Sequence, residues 1–309
     1  MKKPELLVTP KSVEDIQALC DAGADAFVVG EQKFGLRLAG EFLREDMKKA
    51  VQIAHENNKK IYAAVDVIVH NELIDDLYDY IKFLNEIQVD AIVFGDPSIV
   101  LIVKEVAPNL KMHWSTQTTG TNWYTCNYWG RKGAKRAVLS REISMDEVIE
   151  TKENAEVEIE IQVHGMNCMF QSKRTLLGNY YLYQGKAMPI ENRSIHDQMF
   201  LHDKERQNKY PIFEDVNGTH IMSPADICMI DELRDFIDAK VDTFKIDGIL
   251  KSSEYILEVT KLYRKAIDSC VADPDAYEDE KTELFLAIKE LQPKNRPLDT
   301  GFFFKETVY

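Results

Sequence analysis

The chain of 309 residues is 45% hydrophobic and 29% charged, a balance that excludes a disordered or fibrous protein. Its formal net charge of −14 excludes a surface that as a whole attracts nucleic acid or an anionic membrane. No apolar run approaches the ~18 residues of a membrane span.

From the N-terminus, Lys2-Lys3-Pro4 passes directly into a strand-like run, so no secretion signal and a cytoplasmic location are expected. Strand-like runs at 6–8, 26–29, 61–65, 91–94, 111–114, 137–139, 157–163 and 243–246 alternate with helix-like patterns. The helical patterns fall at 13–21, 46–57, 73–86, 145–154 and 253–267. Short strands divided by amphipathic segments imply a parallel βα architecture. Their spacing fits a TIM-like (β/α)8 barrel of about 250 residues. An open doubly wound sheet is the rival, but no G-x-G-x-x-G follows an early strand, so its dinucleotide-binding form has no support. Helix starts carry their caps: Ser12 before Val13, Pro97 after Asp96, and Ser144 with Glu147 as a capping box.

The seventh strand is expected to stop at His164-Gly165 and to be followed by an irregular insertion over 168–220. Phe170, Tyr180, Tyr181, Tyr183 and Phe200 argue that this insertion is ordered. The barrel domain is placed at 1–270. The extension 271–309 reads as an acidic linker, a short helix near 284–291 and an aromatic tail. Its three adjacent phenylalanines, Phe302 to Phe304, either cap the barrel or meet a partner.

Five cysteines (Cys20, Cys126, Cys168, Cys228 and Cys270) are scattered without a C-x-x-C pair, which suits a reducing compartment. Cys20 and Cys270 read as small buried hydrophobes. Barrel enzymes work at the C-terminal ends of their strands, and several such ends carry chemistry here. Gly30 to Arg37 follows the second strand and ends in a guanidinium suited to a carboxylate or phosphate. Ser115, Thr116 and Gln117 end the fifth strand with hydrogen-bonding groups. Arg141 and Glu142 follow the sixth and either bind substrate or pair with each other. Glu160, His164, Gly165 and Cys168 mark the seventh, with Lys173 and Arg174 beyond it. Lys245 and Asp247 alternate along the eighth, as substrate groups or as a structural pair. A Cys168–His164 nucleophile pair is conceivable at this spacing. Neither H-E-x-x-H nor G-x-S-x-G occurs, so the residues themselves do not support proteolysis.

These stretches, in this order, resemble the collagenase-like peptidase family of unassigned catalytic type (peptidase family U32). The match runs from about residue 5 to 268 and resumes at 295–304. It includes Gly30-x-x-x-Phe34-x-x-Arg37, Ser115-Thr116-Gln117 with Asn122, Arg141-Glu142, Glu160 with His164-Gly165 and Cys168, and Lys245 with Asp247. Asp247 stands where the family usually has Glu, and Ile249 replaces an arginine. Cluster-bearing members imply four cysteine ligands to an iron–sulfur centre. Cys168 and Cys228 match two of them, but Thr175 replaces the second and no cysteine stands near Ser194. The resemblance thus makes a cluster held by this chain alone unlikely, with Cys168 and Cys228 as partial ligands and His164 or His196 as conceivable additions.

The family label implies peptidase activity. One branch instead makes 5-hydroxyuridine at the wobble position of transfer RNA, without oxygen and dependent on prephenate, in some cases as paired paralogues. On that branch the resemblance implies a cysteine-poor subunit working with a cysteine-complete paralogue and transfer RNA, with no membrane role. Cys168, His164 and Glu160 would lie around the reactive centre. Arg37, Arg141, Lys173 and Arg174 would hold the anionic substrate, since prephenate has two carboxylates. Ser115, Gln117, Glu142, Lys245 and Asp247 would complete its binding, and the basic run Arg131 to Arg136 would help hold phosphate. A peptidase and a non-catalytic scaffold for a cluster-bearing paralogue are the alternatives.

Overall fold

A computed structural model describes residues 2–116, 119–188 and 199–305. The strands β1 (Glu5–Val8), β2 (Ala26–Val29), β3 (Lys60–Val65), β4 (Ala91–Phe94), β5 (Lys111–Ser115) and β6 (Ala134–Val138) pair in parallel in chain order. β7 (Glu158–Ser172) follows, and β11 (Thr243–Ile246) joins β7 to β1 and closes the barrel. The eight-stranded parallel barrel expected from the sequence is therefore present.

Helices α1 (Val13–Asp21), α2 (Arg44–Glu56), α3 (Ile74–Glu86), α4 (Pro97–Val106), α5 (Trp123–Lys132), α6 (Met145–Asn154) and α8 (Leu233–Asp238) lie between the barrel strands, and α9 (Ser253–Ala272) follows the last of them. Asp96 accepts from Ser98 N at 2.9 Å ahead of Pro97, and Ser144 N donates to Glu147 Oε2 at 2.7 Å. Both caps satisfy amides that a helix start would otherwise leave unpaired.

The strand period of two sorts side chains between two layers. Leu6, Val8, Phe27, Val29, Ile61, Ala63, Ile92 and Phe94 face outward into the main core beneath the helices. Leu7, Ala26, Tyr62, Ala91 and Val93 pack in the lumen. The lumen's N-terminal end is closed by Arg136, whose guanidinium meets Glu5 at 2.8 Å, Glu158 at 2.8 Å and Glu160 at 3.4 Å. This explains why β6 begins earlier than its apolar residues suggest: Arg136 is an inward strand residue, buried because it is paired.

Three expectations need correction. β7 does not stop at His164-Gly165. Gly165 takes φ +107 and the strand continues to Ser172. A Cβ at Gly165 would lie 2.3 Å from the Asp247 carbonyl, so only glycine permits this approach to the β11 loop. The described part of the insertion is also regular. It contains α7 (Leu176–Tyr183) and β8 (Met199–Asp203), β9 (Asn208–Asp215) and β10 (Gly218–Cys228), an antiparallel extension laid on β7. Ser194 and His196 lie outside the described residues. The acidic stretch at 273–280 is not a linker but the first part of α10 (Pro274–Leu291), an 18-residue helix capped by Asp273. Tyr277, Leu284 and Ile288 bury this helix against the main core.

The tail adds β12 (Leu298–Asp299) to β10. Phe303 is buried, edge-on to Phe236 at 5.1 Å, while Phe302 and Phe304 remain exposed. The central phenylalanine thus caps the helical layer. Trp129 likewise stacks on buried Trp114 at 5.5 Å and joins that core.

Candidate active site

At the C-terminal mouth of the barrel a cavity of about 460 Å³ opens between the β2–β5 strand ends and β7. Its walls include Arg37, Asp66, Ile68, Ser115, Cys168 and Phe170. Beneath it the lumen narrows to a pocket of about 50 Å³ reached by Arg37, Arg141, Glu160, Lys245 and Asp247. The same inward phase that fills the lower lumen thus delivers polar groups at the top.

Asp247 bridges two cations, Lys245 at 3.3 Å and Arg141 at 3.6 Å. Burial opposes its ionisation, but these two charges outweigh burial and hold the carboxyl below its ordinary range. Arg141 therefore pairs with Asp247 rather than with Glu142, which is exposed. Asp66 accepts from the Leu36 amide at 2.8 Å. Burial raises its carboxyl above the usual value despite the charge of Arg37. Arg37 itself sits at φ 50, a left-handed conformation uncommon away from glycine. It has no carboxylate in ion-pair contact among the described residues, unlike Arg141 and Lys245.

Cys168 lines the same cavity, half-buried, with its thiol donating to the Phe170 carbonyl at 3.3 Å. Its neighbour is not His164 but His220, on the paired strand β10. His220 is fully buried, stacks on Phe213 at 4.8 Å, and its Nε2 meets Asp215 Oδ1 at 3.0 Å. Its other nitrogen, Nδ1, is buried without a hydrogen-bond partner, and the imidazole acts on the Cys168 thiol across the β7–β10 pairing. Burial alone would raise the thiol's pKa. The imidazole together with Arg37 and Arg141 outweighs burial and lowers it below the ordinary cysteine value. Burial alone would lower the His220 pKa, and Asp215 and Cys168 reverse that and raise it.

His164 belongs elsewhere. It faces the helical layer, with Nε2 2.8 Å from the Tyr255 hydroxyl and Nδ1 3.5 Å from that of Tyr263. Tyr255 donates to Gln292 at 2.5 Å, so His164 Nε2 is the donor to Tyr255. Burial pushes the His164 pKa down to about 3, so the ring is neutral. Cys228 is nearby, buried, with its thiol pushed up to about 12 chiefly by burial. Glu160 reaches the floor of the narrow pocket but is held from below by Arg136. Burial raises its carboxyl despite that cation.

Of the remaining sequence candidates, Ser115 lines the mouth. Gln117 lies outside the described residues. Lys173 and Arg174 are exposed beyond β7, outside the cavity. The basic run Arg131 to Arg136 lies at the opposite end of the barrel, and Arg136 is consumed by carboxylates. His220 and Asp215 were missed by sequence reasoning. Asn217-Gly218 between alternating runs is a strong hairpin signal, and it places Asp215 and His220 on adjoining strands.

The residues present do not fit a four-thiolate cluster. Thr175 is the N-cap of α7, and Cys228 is paired across strands with His164 while Cys168 is paired with Met222. That separation of four residues along β7 is about 13 Å at strand rise. No group of three or more metal-ligating side chains occurs among the described residues.

Fold and mouth together define a TIM-like barrel with a thiol and a cluster of cations at its working end. The model of peptidase family U32 matches residues 11–308, and the chain belongs to that family. It is 65% identical to tRNA hydroxylation protein P2 of Bacillus subtilis over the full length of both chains. It is 34% identical to tRNA hydroxylation protein P1 of the same organism, over 98% of this chain and 71% of that one. A collagenase of Porphyromonas gingivalis is 28% identical over 86% of this chain and 66% of its own. No described helix is long and apolar enough to cross a membrane.

Proposed function

We propose that this chain is a subunit of a transfer RNA hydroxylation system that forms 5-hydroxyuridine at the wobble position, oxygen-independent and dependent on prephenate. The observation that carries this reading is the 65% identity, without a gap in coverage, to a protein named for tRNA hydroxylation. Its partner is a cysteine-complete paralogue, as the P1 and P2 names of two relatives in one organism suggest. The mouth chemistry agrees: Arg37 and Arg141 approach one space, where a dicarboxylate would gain charge-assisted hydrogen bonds. The net charge of −14 leaves most of the phosphate contact to the partner.

The test is nucleoside mass spectrometry of transfer RNA from a strain lacking this gene, grown with any oxygen-dependent route silent. Loss of 5-hydroxyuridine, restored by the gene, is the expected result. Unchanged wobble uridines would contradict the reading. A second reading, proteolysis, draws on the Cys168–His220–Asp215 arrangement. It requires unchanged wobble uridines together with cleavage of a protein substrate that Cys168→Ala abolishes.

A further inference from the structure

We propose that Cys168, His220 and Asp215 form a relay that adds a thiolate to C6 of the uracil ring of the substrate RNA. This inference rests on the hydroxylation reading above and supplies the residues that touch the base. Uridine carbon C5 is a weak nucleophile while the C5=C6 bond is conjugated to the C4 carbonyl. A sulfur bond at C6 turns C5 into an enolate carbon, and this holds for any oxygen donor that follows.

Three independent features place the relay. Cys168 opens onto the mouth cavity, whose volume of about 460 Å³ suits a small ligand or a single base. Phe170 and Ile68 on its rim are 44% and 61% exposed, apolar faces against which a ring can stack. His220 is fully buried, fixed by Phe213 and Asp215, keeps one nitrogen without a hydrogen-bond partner, and stands on β10 in the stretch paired with the Cys168 segment of β7. Asp215 is itself held, accepting from the Asn217 amide at 2.8 Å. The thiol is therefore not an isolated cysteine. It has a base, and the base has an orienting carboxylate.

The step balances within these groups. The Cys168 proton moves to His220 Nδ1, and Asp215 accepts the hydrogen bond of Nε2–H in the resulting imidazolium. The sulfur pair forms the S–C6 bond. The C5=C6 π pair moves toward O4, where the Arg37 charge stabilises the developing enolate. Return of the proton from His220 to C5 gives a neutral adduct, and the reverse steps expel the thiolate.

Reversal predicts an assay that needs no oxygen donor: exchange of the uridine C5 hydrogen with solvent. Unmodified transfer RNA is incubated in deuterium oxide with this chain copurified with its paralogue, and nucleosides are read by mass spectrometry. The expected result is deuterium at the wobble uridine. Cys168→Ala reduces exchange to background. His220→Gln slows it by about 10²-fold, the worth of a positioned base. Both variants should copurify with the partner, and iodoacetamide labelling of Cys168 in His220→Gln confirms an accessible thiol. Exchange that persists in Cys168→Ala, or its absence from a complex competent in hydroxylation, would overturn the proposal. The two readings separate in cells. If deletion of the gene leaves 5-hydroxyuridine intact, the hydroxylation reading falls. If hydroxylation needs the gene but Cys168→Ala restores it fully, the relay alone falls.

Discussion

Strands β7 and β10 carry two cysteine–histidine neighbourhoods, built from the same residue types and differing in what surrounds them. On the helical side, Cys228 and His164 are buried with Tyr255 and Tyr263, and burial drives both toward neutrality. Near the mouth, His220, Arg37 and Arg141 favour the Cys168 thiolate, while Asp215 and Cys168 favour the His220 imidazolium. The lesson is that a cysteine and a histidine make a reactive thiol only where the imidazole acts on the thiol and cations stand beside it; burial among tyrosines leaves the same two residue types inert. Gly165 separates the two sites. At φ +107 it carries β7 from one environment into the other.

The largest effect should come from breaking the mouth pair. Cys168→Ser is expected to reduce 5-hydroxyuridine formation in a complemented deletion strain below detection. His164→Gln should act through stability instead, and its residual activity should track the folded fraction measured by circular dichroism.

Next comes the foundation of the buried side. Asp226 holds Lys251, Arg296 and Gln292, and it is fully buried. Asp226→Asn leaves two buried cations without their countercharge and should cost about 3–5 kcal/mol in denaturant melts. Burial works against the Asp226 charge, but Lys251 and Arg296 outweigh it and hold the carboxyl well below the usual range. Its contribution is therefore present above the unfolded carboxyl value of about 3.9 and is lost as pH falls through the native one. The acid arm of stability against pH should be shallower in Asp226→Asn.

A smaller effect separates the thiols by pH. The rate of Cys168 alkylation should reach half its plateau below the ordinary cysteine value of about 8.5. His220→Gln should move that midpoint upward, because an imidazolium no longer favours the thiolate. Cys228 should remain unlabelled until the protein unfolds. Smallest of all, Lys173→Ala and Arg174→Ala should change stability by less than about 0.5 kcal/mol and leave Cys168 reactivity unaltered. A fall in activity from either would place an RNA contact beyond β7.

Much of this was legible in the sequence. The barrel strands announce themselves because seven of the eight short apolar runs are flanked by a helical pattern, the run at 111–114 being the exception. Arg37, Ser115, Arg141, Lys245 and Asp247 stand at strand ends, where barrel topology itself gathers them. What failed did so for identifiable reasons. His164 and Cys168 look adjacent by spacing, yet a left-handed glycine between them sends them to different environments. The extension looked irregular because Pro211 interrupts the apolar pattern of β9, although Asn217-Gly218 marked the hairpin. Acidic residues hid the first turns of α10, whose buried Tyr277 hydroxyl donates to the Ile230 carbonyl at 2.8 Å. His220 could not be singled out without its strand partner, since its role depends on cross-strand register.

The most direct test compares the two thiols in one background. A deletion strain is complemented with Cys168→Ala or Cys228→Ala, and wobble nucleosides are quantified beside the amount of folded protein. The account predicts loss of 5-hydroxyuridine with Cys168→Ala and retention, per folded chain, with Cys228→Ala. Retention with Cys168→Ala, or loss with a fully folded Cys228→Ala, would contradict it.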